Sequence, residues 1–297
     1  MGQNNKEIIG VLKFGTVGES VKVWQQFLTG LEYYSHKIDG QFNLETYKAT
    51  KKFQSLNGLK QDGIVGERTK SLLSLENKLL KLSSYTRASE EIDIDVHLLQ
   101  AVAEVESFGA GFIVGDGRPA ILFEAHKFHK HTGGKYSETH PHISTPKWER
   151  SLYKGGADEY GRLAEAMVLS KSAAYKSTSW GKFQILGENF RSAGFQSVYT
   201  FVDAMYESEE EHLTAFINFL KNEKLDKPLR ERDFSEFARG YNGPGYQKNS
   251  YHYKIQKAFL ENKSNADLEM PIKELDFELG LSWKLRESFT KHKFNEF

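Results

Sequence analysis

Cysteine is absent from this chain of 297 residues. Its absence excludes disulfide frameworks, thiolate zinc sites and cysteine nucleophiles. Long apolar runs are absent too, and no stretch approaches the roughly 20 residues that a membrane helix needs. The apolar run at 8–12 is too short for the hydrophobic region of a signal peptide. We therefore expect no membrane insertion, and synthesis in the cytoplasm without a signal peptide.

Charge of one sign is not in excess, since 40 Lys and Arg residues balance 40 Asp and Glu residues. Nucleic acid is not expected as a partner, because phosphate binding favours a basic surface. The chain is 39% hydrophobic and 27% charged, a composition typical of a folded, soluble protein. It has no glycine-rich phosphate loop and no heptad array, so we expect no cofactor and a monomer.

An internal repeat is present near the N-terminus. Asp39-Gly40 recurs as Asp62-Gly63, and Thr46 recurs as Thr69 at the same separation. Asp-Gly favours a tight turn, because glycine tolerates a positive φ and aspartate bonds to its own backbone. The pattern predicts a compact helical unit with two equivalent loops, each followed by a threonine that opens a helix.

Residues that carry a family resemblance extend over the whole of this segment. They are Gly15, Gly18, Val21, Trp24, Gln25, Asp39, Gly40, Phe42, Phe53, Gln54, Gly58, Leu59, Asp62 to Gly66 and Thr69. Together they resemble the three-helix peptidoglycan-binding domain. The resemblance implies a wall-binding domain over residues 7–76, with Asp39, Gly40, Asp62 and Gly63 in its loops. Asn43 departs from that family, which usually has glycine there.

The following segment, 77–91, is rich in Lys, Ser and Glu and is interpreted as a helical or loose connector. From there the pattern predicts mostly helices, the first from Asp95 to about Ser107, and a strand at 120–123. Residues 92–265 are interpreted as one domain. Helices are also expected in the C-terminal extension, 266–297, to which we assign no function.

One carboxylate in the helix that follows Asp95 lies where a negative charge is disfavoured twice, by burial and by the helix dipole. Glu106 lies four residues after Val102 and seven after Leu99, so it falls on the apolar stripe. Burial and the negative end of the helix dipole both raise the pKa of a carboxyl group. An acid that stays protonated near neutral pH suits glycoside cleavage. The alternative is a partly buried glutamate paired with an arginine such as Arg118.

Three short motifs follow one another along the chain. They are Glu106-Ser107, Gly181-Lys182-Phe183-Gln184 and Tyr241-Asn242-Gly243. Their order resembles that of goose-type lysozymes and lytic transglycosylases. The resemblance implies that Ser179, Gln184, Tyr241 and Asn242 contact the substrate. Hydrogen bonding to loop backbone is the alternative role for such side chains.

A longer set of positions sharpens the resemblance. It comprises Ala103, Glu106, Ser107, Gly109, Leu122 to Glu124, His126, Phe128, Ser177, Ser179 to Gly181, Phe183 to Ile185, Asn189 and Phe190. These positions resemble the N-acetylmuramidase domain of phage endolysins over roughly 92–262, which implies that Glu106 is the general acid. Glycosidases usually need a second carboxylate as nucleophile or base. Glu124 is favoured for that role, and Asp116 on a glycine-rich loop is the alternative.

Histidines cluster between residues 126 and 142, without a His-Glu-x-x-His motif. Zinc needs three or four ligands in suitable geometry, so we interpret the cluster as a solvated loop and predict no metal site. Among the aromatic residues, Tyr175 and Trp180 are candidates for stacking on sugar faces.

The sequence as a whole predicts a mainly α protein. A small three-helix wall-binding domain is followed by a lysozyme-like α+β catalytic domain with a small β-hairpin. The implied activity is hydrolysis of the β-1,4 bond between N-acetylmuramic acid and N-acetylglucosamine in peptidoglycan, the expected partner. A lytic transglycosylase that leaves 1,6-anhydromuramic ends and a non-catalytic wall-binding protein are the alternatives. A phage endolysin released through a holin pore and an injected bacterial effector both fit.

Overall fold

The computed structural model describes residues 7–106, 111–243 and 250–269, and for Glu106, Asn242 and 265–269 it describes the backbone alone. The α-helices of this part are α1 (Glu19–Gly30), α2 (Leu44–Leu56), α3 (Glu67–Lys70), α4 (Leu82–Glu91), α5 (Val96–Glu106), α6 (Ala125–His131), α7 (Glu159–Lys176), α8 (Val198–Glu207), α9 (Glu209–Asn222), α10 (Asp226–Arg230), α11 (Phe234–Asn242) and α12 (Tyr251–Glu269). The strands are β1 (Ile121–Phe123), β2 (Thr178–Trp180) and β3 (Ile185–Leu186). Short 3-10 helices cover Ser71–Lys78, Arg150–Leu152, Gly156–Asp158 and Gly187–Asn189.

This architecture confirms the predicted mainly α fold with a small antiparallel sheet. The C-terminal extension lies outside the described residues beyond Glu269. Among the helices that the structure describes, none is both long enough and apolar enough to cross a bilayer.

The N-terminal domain is built on three mutually contacting aromatic rings. Trp24 and Phe27 on α1 have ring centroids 5.1 Å apart, and Phe53 on α2 packs edge-on at 5.5 Å from Trp24 and 5.3 Å from Phe27. All three side chains are fully buried. The indole Nε1 of Trp24 donates a hydrogen bond to Thr50 Oγ1 at 2.9 Å, so its polar atom is satisfied inside the core.

A buried glutamine organises the first Asp-Gly loop. Gln25 Oε1 accepts a hydrogen bond from the Gly40 backbone N–H at 2.9 Å. Its Nε2 donates to Asp39 Oδ1 at 3.1 Å, to Gln41 O at 3.1 Å and to Thr46 Oγ1 at 3.0 Å. Gly40 has φ 75°, which glycine adopts without strain. One side chain on α1 therefore fixes the loop and the start of α2.

The second loop repeats this arrangement with a different glutamine. Gln54 Oε1 accepts from the Gly63 N–H at 2.8 Å, and its Nε2 donates to Asp62 Oδ1 at 3.2 Å and to Ile64 O at 2.9 Å. A Cβ on Gly63 would lie 2.1 Å from the Tyr47 ring, so glycine is required sterically as well as for its φ of 68°. The predicted pair of equivalent loops is therefore confirmed.

The helices after the loops begin earlier than predicted. Helix α2 starts at Leu44, and Asn43 Oδ1 accepts a hydrogen bond from the Thr46 N–H at 3.0 Å. Helix α3 starts at Glu67 after Gly66, which has no side chain to cap it. The expectation that threonine opens each helix was wrong, because the residue before the helix occupies the N-cap position. Asn43, the departure from the family pattern, supplies a cap that glycine lacks.

The second domain has its own core, and the connector contributes to it. Helix α4 lies within 77–91, and its Tyr85 and Ala88 are buried in this second core. Each domain also places one apolar side chain in the core of the other: Leu56 packs into the second core, and Phe112 packs into the first. Across the same boundary, Lys52 Nζ donates to Gln100 Oε1 at 2.7 Å. These contacts hold the two domains in one arrangement.

The small sheet carries one buried face and one half-exposed face. Its strand order is β1-β2-β3, and both pairs are antiparallel. In the register, Leu122 lies opposite Ser179, and Ser179 lies opposite Leu186. Their neighbours along the strands, among them Phe123 and Trp180, are buried. Because side chains alternate along a strand, Leu122, Ser179 and Leu186 share the half-exposed face.

Candidate active site

Helix α5 presents the apolar stripe that the sequence predicts. Leu98, Leu99 and Val102 are fully buried. Glu106 is the last residue of the helix, and its side chain lies outside the described residues. Its burial and its role therefore stay predictions. Arg118, the alternative partner, is engaged elsewhere.

Asp116, the alternative second carboxylate, forms an ion pair with Arg118 in which two guanidinium nitrogens share Oδ2. Its carboxylate accepts from Arg118 Nε at 3.0 Å and Nη2 at 2.6 Å, and from the Arg118 backbone N–H at 2.8 Å. Burial raises its pKa, but these hydrogen bonds and the guanidinium charge outweigh burial and hold the pKa of Asp116 below its usual value. The guanidinium also lies 3.9 Å above the Tyr160 ring. Asp116 is thus ionised and committed to a local contact.

Glu124 lies in a different environment directly after β1. Its side chain is 16% exposed, and the Tyr153 hydroxyl donates a hydrogen bond to its Oε2. His126 Nδ1 lies 3.4 Å from the same carboxylate oxygen. Burial raises the pKa of Glu124, and the Tyr153 hydrogen bond with the charges of Lys127 and Arg162 opposes that rise only in part. A carboxylate with a raised pKa is a better proton acceptor than an ordinary one, provided that it is ionised.

A fully buried glutamate fixes the loop that brings Tyr153 to Glu124. Glu159 Oε1 accepts from the backbone N–H groups of Lys154 at 2.6 Å and Gly155 at 3.0 Å. Its Oε2 pairs with Arg162 Nη1 at 3.0 Å, and the same Nη1 donates to Phe123 O, the last residue of β1, at 3.0 Å. The pair therefore ties this loop to the strand that ends at Glu124. Sequence reasoning missed it, although the Glu-x-x-Arg spacing at the start of α7 was visible.

Gln184 and Tyr241 each hydrogen-bond to the backbone of the turn between β2 and β3. Gln184 Nε2 donates to Gly181 O at 2.8 Å and to Ala120 O at 3.2 Å. The Tyr241 hydroxyl donates to Phe183 O at 2.6 Å. These bonds match the alternative role of holding loop backbone. Ser179 lies on the half-exposed face of the sheet, and the side chain of Asn242 lies outside the described residues.

The aromatic residues near the site differ from those expected to stack on sugars. Trp180 is 1% exposed and donates its indole N–H to Tyr175 O at 3.2 Å, so its predicted stacking role was wrong. Trp148 is 60% exposed, and its ring centroid lies 6.2 Å from that of Tyr153. It therefore offers an uncovered apolar ring beside the tyrosine that contacts Glu124. The sequence carried no periodic pattern that distinguished this loop residue.

The histidines between 126 and 142 have separate partners. His129 Nδ1 lies 2.7 Å from Ser137 Oγ, and His131 Nε2 lies 2.8 Å from Glu188 Oε2. His142 Nε2 lies 2.8 Å from the carboxylate of Glu165, which lies on α7. Within the described ranges, no group of three His, Asp or Glu side chains is placed to hold a metal ion.

Comparison with known protein families gives two matches in order along the chain. The peptidoglycan binding domain family matches residues 17–73. The N-acetylmuramidase family matches residues 95–263, more than half of the chain. The second match includes the positions of Glu106, Glu124, Ser179, Gln184, Tyr241 and Asn242.

A solved structure and curated relatives are also similar. The crystal structure of the Burkholderia AP3 phage endolysin matches 86% of this chain and 99% of that chain, with 36% identity and a TM-score of 0.63. The spore cortex-lytic enzyme of Oceanobacillus iheyensis is 39% identical over 77 residues, 26% of each chain. That of Bacillus subtilis is 41% identical over 69 residues, 23% of each chain. The present chain thus spans about a quarter of the length of these curated relatives.

Proposed function

The chain belongs to the N-acetylmuramidase family, and we propose that it hydrolyses the β-1,4 bond between N-acetylmuramic acid and N-acetylglucosamine in bacterial peptidoglycan. The match of that family over residues 95–263 carries the proposal, because it spans the helix that ends at Glu106 and the strand that precedes Glu124. The similarity to a phage endolysin over nearly the whole of that chain supports the same activity.

In this proposal Glu106 is the general acid that protonates the leaving glycosidic oxygen. Its position as the last residue of α5 supports this role, because the carbonyl end of a helix disfavours a negative charge. The buried neighbours Leu99 and Val102 lie on the stripe that it continues. Both features favour the protonated form that the first step needs.

Glu124 is the proposed second carboxylate. The Tyr153 hydroxyl donates to one of its oxygens, which orients the group and leaves the other oxygen for a water molecule. A base in this position removes the water proton as the water attacks the anomeric carbon. The ion pair of Asp116 with Arg118 makes that residue a weaker candidate. A carboxylate that activates water favours hydrolysis over the intramolecular attack of a transglycosylase.

The proposed division of labour places wall binding in residues 7–76 and catalysis in 92–265, within one monomeric chain. Holding the enzyme on its insoluble substrate raises the effective concentration of cleavable bonds. Asp39 and Asp62 each accept a hydrogen bond from the backbone two residues later, at 2.9 Å, so their part in binding is to shape the loops with Gly40 and Gly63. We propose that the protein reaches the wall after release or injection from the cell that makes it.

The test is mass spectrometry of soluble fragments released from purified peptidoglycan. The wild type and Glu106→Gln are compared with Glu104→Gln as a matched control. Glu104 lies two residues earlier on the same helix and accepts a hydrogen bond from Gln61 at 2.7 Å, outside the proposed chemistry. We expect reducing muramic ends from the wild type and from Glu104→Gln, and none from Glu106→Gln.

Other outcomes assign the protein differently. Anhydromuramic ends from the wild type would indicate a transglycosylase and remove the proposed base role of Glu124. Full activity of Glu106→Gln would contradict the assignment of the acid. A wild type that binds peptidoglycan and releases nothing would leave a wall-binding protein without the proposed activity.

A further inference from the structure

A cleft of about 470 Å³ lies where the two domains meet. The N-terminal domain contributes Leu59 and Arg68 to its lining, and the second domain contributes Leu122 and Gln184. The volume falls within the range of roughly 300–1,000 Å³ that is usual for ligand sites. A wall of this cleft therefore belongs to the domain that the family match assigns to peptidoglycan binding.

A buried lysine contacts both walls of the cleft. Lys182, in the β2–β3 turn, pairs with Glu209 at 3.2 Å, and both side chains are buried. Lys182 Nζ also donates to Asn57 Oδ1 of the N-terminal domain at 3.5 Å, and Asn57 lines the cleft. Glu209 in turn accepts from the Leu80 N–H at 3.0 Å. The buried ion pair fixes the position of Lys182, and Lys182 in turn contacts the N-terminal wall of the cleft through Asn57.

The charge of the cleft comes from Arg68. Of the lining residues that the structure describes, Arg68 alone is charged. Its side chain is exposed, and its guanidinium has no ion-pair or hydrogen-bond partner within the described part of the chain. Most of the other lining residues are apolar or glycine. An unpaired guanidinium in a largely apolar cleft suits a carboxylate, which it binds with two parallel hydrogen bonds.

Two segments that line the cleft lead along the backbone to the surroundings of Glu124. Leu122 lines the cleft, and Glu124 lies two residues further along the same backbone. Gly155 lines it as well, two residues after Tyr153, whose hydroxyl contacts Glu124. A Cβ on Gly155 or Gly156 would meet no atom within 4 Å, so the backbone there is open to a ligand. A chain that lies in the cleft thus contacts residues that are two positions along the backbone from Glu124, the proposed base, and from Tyr153, which contacts it.

We propose that this cleft binds the peptide stem that muramic acid carries, with Arg68 on a carboxylate of that stem. The inference rests on the proposed function, since the stem is attached to the glycan being cut. The stem is a short peptide with free carboxylates, so it matches both the open backbone of the cleft and its single positive charge. The N-terminal domain would then contribute a substrate-positioning residue to the catalytic cleft in addition to holding the wall.

The experiment compares Arg68→Gln with the wild type on two substrates. One is intact peptidoglycan, and the other is glycan from which an amidase has removed the stems, which leaves free lactyl carboxylates. The readout for both is the rate of formation of new reducing muramic ends. We expect kcat/KM to fall by about ten- to a hundredfold on intact peptidoglycan, the scale of a hydrogen bond to a charged group. On stripped glycan we expect no change.

Two further variants serve as controls. Arg68→Lys keeps the charge but loses the two parallel hydrogen bonds, so it is expected to recover only part of the lost activity on intact peptidoglycan. Lys13→Gln removes a positive charge from an exposed residue of the same domain that does not line the cleft, and it is expected to leave both rates unchanged.

The two substrates separate the possible failures. Equal loss on both would mean that Arg68 serves the glycan, the lactyl carboxylate or the fold, and would overturn the stem proposal. No loss on either would overturn it as well. A wild type that cuts neither substrate would instead contradict the proposed muramidase activity.

Discussion

Two glutamates of the catalytic domain, Glu124 before α6 and Glu159 at the start of α7, have opposite surroundings. Glu159 is fully buried, and its oxygens accept from Lys154 N, Gly155 N and Arg162 Nη1. Glu124 is partly exposed, and the Tyr153 hydroxyl is the donor that the structure gives it, with His126 at 3.4 Å.

The contrast separates a carboxylate used for structure from one available for chemistry. A buried charge that is ion-paired and hydrogen-bonded is stable as an anion but has no free lone pair for a substrate. A carboxylate that burial has made more basic, with part of its surface exposed, is able to take a proton. The loop from Tyr153 to Gly155 joins the two, because Glu159 fixes the backbone that positions Tyr153.

Between these two glutamates, the larger expected effect on activity comes from Glu124→Gln. We expect activity to fall by about 10²- to 10⁴-fold, the usual contribution of a general base. We also expect the free energy of unfolding near neutral pH to be no lower than that of the wild type. Burial raises the pKa of Glu124, so its stabilising contribution is complete at acid pH and is lost as pH rises through that pKa. Glutamine removes the buried charge that remains at neutral pH.

Initial rates on peptidoglycan and a denaturant titration at neutral pH measure both quantities. Asp116→Gln is the control for a second carboxylate in the same domain, and its activity is expected to stay within a few fold of wild type. A large loss of activity in Asp116→Gln together with an active Glu124→Gln would reverse the assignment.

The matching substitution, Glu159→Gln, is expected to act mainly on the stability of the protein. Glu159→Gln leaves the Arg162 charge buried without its partner, which we expect to lower the free energy of unfolding by about 3–5 kcal/mol. Denaturant unfolding at neutral pH gives this value. If Glu159→Gln were as stable as Glu124→Gln, the contrast between the two environments would fail.

A smaller effect is expected from Tyr153→Phe. The Tyr153 hydrogen bond lowers the pKa of Glu124 against the larger effect of burial, so its removal raises that pKa further. Because the ionised form is the active base, activity falls as pH drops through the pKa, and the acid limb of kcat/KM moves to higher pH in the variant. A pH–rate profile of both proteins tests this. An unmoved acid limb with a uniformly lower rate would mean that Tyr153 acts through packing alone.

The repeated loops and the fold class were predictable because they depend on local chemistry. Asp-Gly turns have few conformations, and the same spacing in both copies marks the same structure. The N-cap at Asn43 was missed, since a threonine three residues later competes for that role in the sequence. The half-exposed face of the sheet, with Ser179, follows from alternation once the register is known.

The contacts around Glu124 were not predictable from local pattern. Tyr153 reaches it from 29 residues away, and Glu159 fixes that loop from the next helix. Trp180 was expected to stack on sugars, but its place on the buried face of β2 depends on strand register. The substrate contacts predicted for Gln184 and Tyr241 stay predictions, whereas their bonds to backbone become visible only in the folded chain.

The smallest expected effect concerns the solvent-exposed part of Glu124, called its open side below. If substrate occupies that side, the exposed Trp148 beside Tyr153 contacts a sugar ring, because its apolar ring is otherwise left to solvent. Trp148→Ala is then expected to raise KM by about two- to tenfold, the range of an aromatic contact, with kcat nearly unchanged. Trp148→Phe keeps an aromatic ring and should recover most of the affinity. Steady-state kinetics on peptidoglycan measure the two constants, and Tyr199→Ala, an exposed aromatic on α8, is the control. A fall in kcat with an unchanged KM would instead place Trp148 among the residues that support Tyr153, and the open side of Glu124 would then need a different sugar contact.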